Sequence, residues 1–218
     1  MPDGGETVAG RDVVLAVRGL RKRYGSLEVV VNLPPPPFAG LALIAHPHPL
    51  QGGTLDNKVV QTLAKTFFGL GYVAVRFNFR GVGPSEGTFD EGNGETDDAL
   101  AVLAWARERF GNLSLALAGF SFGSYVQTRV AKRTTFERLV LVGPAVKRFA
   151  VETVPADTIV VHGEQDDVVP LPDVLEWARP QQLPIIVFPG CGHYFHGRLP
   201  QLSQVVRAMW RGAAKTHD

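Results

Sequence analysis

One cysteine, Cys191, stands in a chain of 218 residues. An internal disulfide is therefore excluded, and the usage suits a reducing cytoplasm, where the protein is expected to reside. A lone cysteine is usually a small buried hydrophobe rather than a reactive thiol. Neither sign of charge is in excess: 22 Lys and Arg face 21 Asp and Glu, for a net charge of +1. Such a balance gives no basic surface for nucleic acid and no cationic face for a membrane. No apolar run approaches the roughly 20 residues of a spanning helix. Residues 1–10 are polar and Gly-rich and lack the apolar core of a signal peptide. Internal repeats and a compositional break are also missing.

What the chain does have is alternation of strand and helix signals. Short apolar, β-branched runs at 13–17, 27–33, 41–45, 73–77, 115–118, 139–142, 158–161 and 185–188 read as strands. Several are apolar throughout, as strands covered on both faces must be. Helical spacing recurs at 57–69, 95–110, 121–132, 172–179 and 200–211. The first two strands are expected to form an antiparallel ribbon, and the rest a parallel sheet with right-handed crossovers. Pro34 to Pro37 is too rigid for a strand and reads as an extended connector. The expected architecture is one α/β domain over 1–218, with about eight mostly parallel strands and helices on both faces. The ends, 1–10 and 212–218, are expected to be flexible. The chain is long enough to bury a full core.

One strand leads directly into Gly119-Phe120-Ser121-Phe122-Gly123, a G-x-S-x-G pattern followed by a helix-compatible stretch. Strand, sharp turn and helix would set the Ser121 hydroxyl at the tip of the turn, beside the free N–H groups of a helix N-terminus. Glycines two before and two after leave room for backbone that would meet a Cβ. A serine hydroxyl is a weak nucleophile until a base takes its proton and a partner orients that base. Downstream, His162-Gly163-Glu164-Gln165-Asp166-Asp167 follows one predicted strand, and Gly190-Cys191-Gly192-His193 follows another. Ser, acid and His thus fall in the chain order of an α/β-hydrolase sheet, all at the carboxyl edge where open α/β sheets bind ligands.

With these segments the chain resembles the α/β-hydrolase superfamily, most of all its small, lidless, dienelactone-hydrolase-like bacterial members. The resemblance runs from Val13 to Trp210. It is carried by Ala45 to Gly53 with its His-Pro-His-Pro, by Phe77 to Ser85, by Gly119 to Gly123, by His162 to Pro170, and by Gly192-His193. It implies Ser121 as nucleophile, His193 as base and Asp166 as triad acid, with Asp167 as the competing acid. The first oxyanion donor would be the N–H of Phe122. The second would come from the loop after the third strand. Many hydrolases carry His-Gly there, whereas this chain doubles a His-Pro. Pro47 and Pro49 have no N–H to give, so the donor is His48 or a residue after Pro49, and Leu50 is favoured.

Other readings of these residues are weaker. His46 and His48 at i and i+2 on a strand end point to opposite faces and lack a third ligand, so no metal is expected. Glu95, Asp97 and Asp98 fall in the first turn of a predicted helix, where carboxylates complement the dipole. His196 reads as a structural hydrogen-bonder. Arg80, after the fourth strand, either braces a Gly-rich turn or binds a substrate carboxylate, with bracing favoured.

No cofactor is implied. The stretch between Val142 and Thr158 leaves no room for a lid, so the site should be open and shallow. Phe89, Phe122, Tyr125, Tyr194 and Phe195 are candidates for its apolar lining. A small or medium acyl ester is the default substrate. A thioester, an amide or peptide, or acyl transfer on the same fold are the alternatives, and a non-catalytic binding protein is the reading from another class.

Overall fold

A computed structural model describes residues 13–22 and 25–213, with side chains described for residues 25–212. Eight strands form one sheet in the order β1-β2-β4-β3-β5-β6-β7-β8. They are β1 (Val13–Lys22), β2 (Gly25–Leu33), β3 (Gly40–Ala45), β4 (Tyr72–Phe77), β5 (Leu115–Phe120), β6 (Arg138–Val142), β7 (Ile159–Gly163) and β8 (Ile185–Phe188). β1 pairs antiparallel with β2, and β2 antiparallel with β4; from β4 onward every pairing is parallel. The helices are α1 (Lys58–Phe68), α2 (Asn93–Phe110), α3 (Phe122–Ala131), α4 (Leu171–Ala178) and α5 (Leu199–Ala213). The expected end segments 1–10 and 214–218 lie outside the described residues, while Gly212 and Ala213 belong to α5.

All six residues of β3, of β4 and of β5 are buried. Successive side chains of a strand point to opposite faces, so each strand feeds two cores. Leu41, Leu43, Val73, Val75, Leu115 and Leu117 pack under α2, α3 and α4. Ala42, Ile44, Ala74, Ala116, Ala118 and Phe120 pack under α1 and α5, whose Leu63, Phe67, Leu202, Val206 and Trp210 close that side. Burial of these side chains, at about 25 cal/mol per Å² of apolar surface, is the main force holding the layers together.

Local chemistry sets the helix starts. Asn57 Oδ1 accepts from the N–H groups of Val59 and Val60 at 2.9 and 3.5 Å and starts α1. Glu95 reaches back from α2 to accept from the N–H groups of Gly92 and Asp90 at 2.8 and 2.9 Å. Its neighbour Asp98 is fully buried and takes the Arg80 guanidinium at 2.9 and 3.1 Å. Arg80 also donates to the Gly94 carbonyl at 2.8 Å. It therefore ties the loop after β4 to α2, the bracing role favoured from sequence. Asp97 faces out and pairs with Arg133.

Parallel pairing aligns the carboxyl ends of the strands. Ala45 sits opposite Gly119, Phe120 opposite Val142, and Gly163 opposite Phe188. The loops that carry Ser121, Asp166, His193 and the His-Pro-His-Pro segment thereby emerge from one edge. Residues 143–158, between β6 and β7, contain no helix. This segment is pinned down on its neighbours: Glu152 N–H donates to Thr128 Oγ1, Trp177 Nε1–H to the Val151 carbonyl, and Val154 N–H to Gln181 Oε1. Among the described residues, no lid covers the site.

Candidate active site

Ser121 occupies the strained turn between β5 and α3, with φ 55° and ψ −118°. A β-carbon residue in that region is held there by its surroundings, which over-determine the backbone. Its N–H donates to the Val142 carbonyl at 2.9 Å. Ser124 Oγ donates to the Gly119 carbonyl at 2.8 Å from inside the helix. A Cβ on Gly119 would lie 2.4 Å from the Gly123 carbonyl oxygen, and one on Gly123 would lie 2.3 Å from that of Ala45. The two glycines are demanded by close packing of the turn on itself and on the end of β3.

His193 lies on the Phe120 ring, with centroids 4.9 Å apart, one residue before Ser121. Gly143 passes beneath it: a Cβ there would approach the imidazole to 3.2 Å. His193 Nδ1 meets Asp166 Oδ2 at 2.6 Å, with both side chains buried. The other carboxylate oxygen accepts from the N–H groups of Val168 and Val169 at 2.9 and 2.7 Å. Burial alone pushes the Asp166 carboxyl up, but the His193 bond and charge, with the Val169 N–H, outweigh it and hold the group below its ordinary value. Asp167 is exposed and takes no part in this contact. His196 is also exposed and rests on Tyr194, with ring centroids 5.9 Å apart.

Sequence reasoning passed over His162. It is fully buried at the end of β7, its Nε2 2.8 Å from the Val169 carbonyl and 3.5 Å from Asp166 Oδ2. Burial is the main cause holding its imidazole below the ordinary histidine range. A neutral ring with its proton on Nε2 supports the acid loop from below. The signal was the His-Gly pair itself, read only as a landmark for Asp166.

The loop after β3 is organised by its two histidines. Phe79 N–H donates to His46 Nε2 at 3.0 Å, so the proton of this neutral ring sits on Nδ1, which lies 2.7 Å from the Pro47 carbonyl oxygen. Burial lowers the His46 pKa to about 4. His48 caps a short 3-10 turn, and its Nδ1 accepts the Leu50 N–H at 3.2 Å. The Gln51 and Gly53 N–H groups both donate to the His48 carbonyl at 3.0 Å. The Leu50 amide, favoured from sequence as second oxyanion donor, is therefore engaged by a side chain, and the Leu50 side chain is 73% exposed. Among the described residues, the N–H groups of His48 and Phe122 donate to no other group. The rings of these two residues pack 5.2 Å apart.

A cleft of about 260 Å³ opens at Ser121 and Phe122, walled by Ala145 to Phe149 and by Val168 to Pro170. A second, of about 660 Å³, lies beyond it against Phe89, Tyr125 and Leu50. Of the apolar lining anticipated from sequence, Phe89, Phe122 and Tyr125 border these clefts, whereas Phe195 is fully buried against Phe188. Tyr194 is half-exposed beside His193. No three metal-binding side chains come together among the described residues. No described helix is long and apolar enough to cross a membrane.

The model of the X-Pro dipeptidyl-peptidase (S15) family, part of the α/β-hydrolase clan, matches residues 26–151, more than half of the chain. The chain belongs to the S15 family of α/β hydrolases. Its full length is similar to XC6422 of Xanthomonas campestris, an α/β serine hydrolase without a lid. The two are 34% identical over 97% of this chain and all of the other, with a TM-score of 0.86. An α/β serine hydrolase homologue from Coxiella burnetii is 37% identical over 94% of this chain and 99% of that one, with a TM-score of 0.81. The uncharacterized protein RP471 of Rickettsia prowazekii is 32% identical over 185 residues, 78% of each chain. This kinship supports a hydrolase.

Proposed function

We propose that the chain is a serine hydrolase that cleaves small to medium acyl esters through a covalent acyl-enzyme. The observation that carries this reading is the 2.6 Å contact of His193 Nδ1 with Asp166 Oδ2, made directly beside the Ser121 turn. The Asp166 carboxylate would keep the His193 proton on Nδ1 and leave Nε2 free as a base. Ser121 Oγ attacks the acyl carbonyl while Nε2 takes its proton. The oxygen that becomes negative is held by two backbone N–H groups. The intermediate collapses, the alcohol leaves with the proton from Nε2, and a water molecule repeats the sequence on the acyl-serine to release the acid.

For the second donor we favour His48 over Leu50. The Pro47 carbonyl and the His48 N–H belong to one planar trans peptide and point in opposite directions. His46 Nδ1–H fixes the carbonyl end, which aims the N–H away from His46, and Gly53 is packed under that same peptide. The first donor remains Phe122.

The test is the Ser121→Ala variant. It is expected to abolish labelling by a fluorophosphonate and to lower kcat by several orders of magnitude. Near wild-type turnover would overturn the reading. The family description names a dipeptidyl-peptidase, which favours amide hydrolysis as a second reading. Comparison of an X-Pro p-nitroanilide with p-nitrophenyl acetate separates the two.

A further inference from the structure

Arg148 is one cation beside the clefts that the hydrolase reading leaves unused. It borders both the cleft at Ser121 and the one beyond it, together with His48, Gln51 and Phe149. Its neighbour Lys147 is neutralised, with Nζ 3.0 Å from Asp173 and 2.8 Å from Glu176. Arg80, on the loop after β4, is likewise spent on Asp98. Arg148 has no carboxylate partner among the described residues.

Its guanidinium is nevertheless held in place. It lies 5.9 Å from the centre of the Phe149 ring. With the Gln51 amide turned so that its oxygen faces the charge, that oxygen accepts from Nη1 and Nη2 at 2.9 and 3.2 Å. An aromatic face and a neutral acceptor orient a guanidinium without cancelling its charge. The field of Arg148 also reaches inward: after burial, it is the second cause holding the His48 imidazole below its ordinary range. His48 thus tends to stay neutral and adds no competing cation. Each cleft also carries one carboxylate: Asp173 on the Ser121 side, where Lys147 pairs with it, and Glu91 on the outer side, so the cation left unpaired on the Ser121 side is Arg148.

A neutral ester gives this oriented charge nothing to bind. A carboxylate or phosphate a few bonds from the scissile carbonyl would meet the remaining guanidinium N–H groups in a charge-assisted contact. We propose that Arg148, braced by Gln51 and Phe149, is a specificity residue that selects substrates carrying an anionic group, and that the natural substrate is an anionic acyl ester. The proposal rests on the serine-hydrolase reading above.

The experiment compares kcat/KM for matched pairs, each corrected for its own rate with hydroxide. Monomethyl glutarate against methyl hexanoate places a carboxylate on the acyl side. For the alcohol side, 4-acetoxybenzoate and 4-acetoxyphenyl phosphate are each compared with 4-acetoxytoluene, which distinguishes carboxylate from phosphate. The wild type is expected to prefer the anion by about tenfold or more in at least one pair, and the preference should shrink as salt is raised. Arg148→Met should remove that preference, Arg148→Lys restore it in part, and Arg148→Glu reverse it. A wild type indifferent to charge in every pair, or an Arg148→Met variant that keeps the preference, would overturn the proposal. Labelling of Ser121 by a neutral fluorophosphonate is read in parallel. Labelling without charge discrimination sinks the Arg148 assignment alone, whereas loss of labelling in the wild type sinks the hydrolase reading with it.

Discussion

His46 Nδ1 and the Pro47 carbonyl oxygen, 2.7 Å apart, form a contact between neighbouring residues that sets the plane of the next peptide. The Phe79 N–H on the opposite ring nitrogen leaves His46 a single tautomer able to make it. A histidine at a strand end thus acts through the backbone, one peptide away from the proposed oxyanion.

His46→Ala frees that peptide to rotate. The expected result is a fall in kcat of about 10²-fold with a much smaller change in KM, the size of a lost oxyanion donor. Fluorophosphonate labelling should slow in parallel while urea unfolding still reports a folded protein. A rise in KM at unchanged kcat would place His46 in substrate binding instead.

The same burial makes the fold sensitive to acid. His46 has a pKa of about 4 in the folded chain against an ordinary 6.5, so the unfolded chain takes up a proton that the folded one refuses. Stability is full above about pH 6.5 and falls as pH drops toward 4, by up to about 3 kcal/mol from this group alone. His162, also shifted down by burial, adds in the same direction. Asp166 is held below its ordinary value and so adds a further loss only at more acid pH. Urea midpoints measured at pH 7, 5.5 and 4.5 should fall in that order, and His46→Gln should flatten the fall. A midpoint constant over this range would contradict the assignment of a neutral buried ring.

Asp166→Asn keeps the shape of the acid but lets the imidazole adopt the wrong tautomer. A loss in kcat of about 10³–10⁴-fold is expected, because His193 Nδ1 would no longer face a carboxylate. Asp167, exposed one residue later, should tolerate the same change with a loss below about tenfold. Reversed losses would make Asp167 the triad acid.

The fold was legible because its strands are short, apolar and buried on both faces, and because period-2 and period-3.6 patterns alternate cleanly. Element ends moved by a few residues: β5 runs on to Phe120, and α2 begins at Asn93, where Glu95 and Gly92 make a cap that composition alone does not reveal. The Ser121, Asp166 and His193 positions were readable as motifs at strand ends. Which N–H of the His-Pro-His-Pro loop is left without a partner was not, since it turns on the His48 ring nitrogen that engages the Leu50 N–H. Arg148 and Gln51 were invisible for a related reason. They lie far apart in sequence, and each alone is an ordinary polar surface residue.

Chain-length preference follows from the open edge. Residues 143–158 lie flat on α3 and α4, and the cleft at Ser121 holds about 260 Å³. Each methylene fully removed from water is worth about 0.8 kcal/mol, roughly a fourfold gain per carbon in kcat/KM. A long acyl chain can collect that gain only while the cleft still covers it. Beyond the walls formed by Val146, Phe149 and Val168, further carbons reach the wider and more open outer cleft, which covers them only in part. With p-nitrophenyl esters, kcat/KM is therefore expected to peak at short to medium acyl length and then to flatten or fall, with no jump in rate above the solubility limit of the substrate. No residue cluster in the proposed mechanism calls for a metal, so a chelator is expected to leave the rate unchanged. A kcat/KM that climbs by the full methylene increment out to long chains would mean that the two clefts join into one covered channel, and a rate abolished by chelator would refute the triad as the source of catalysis.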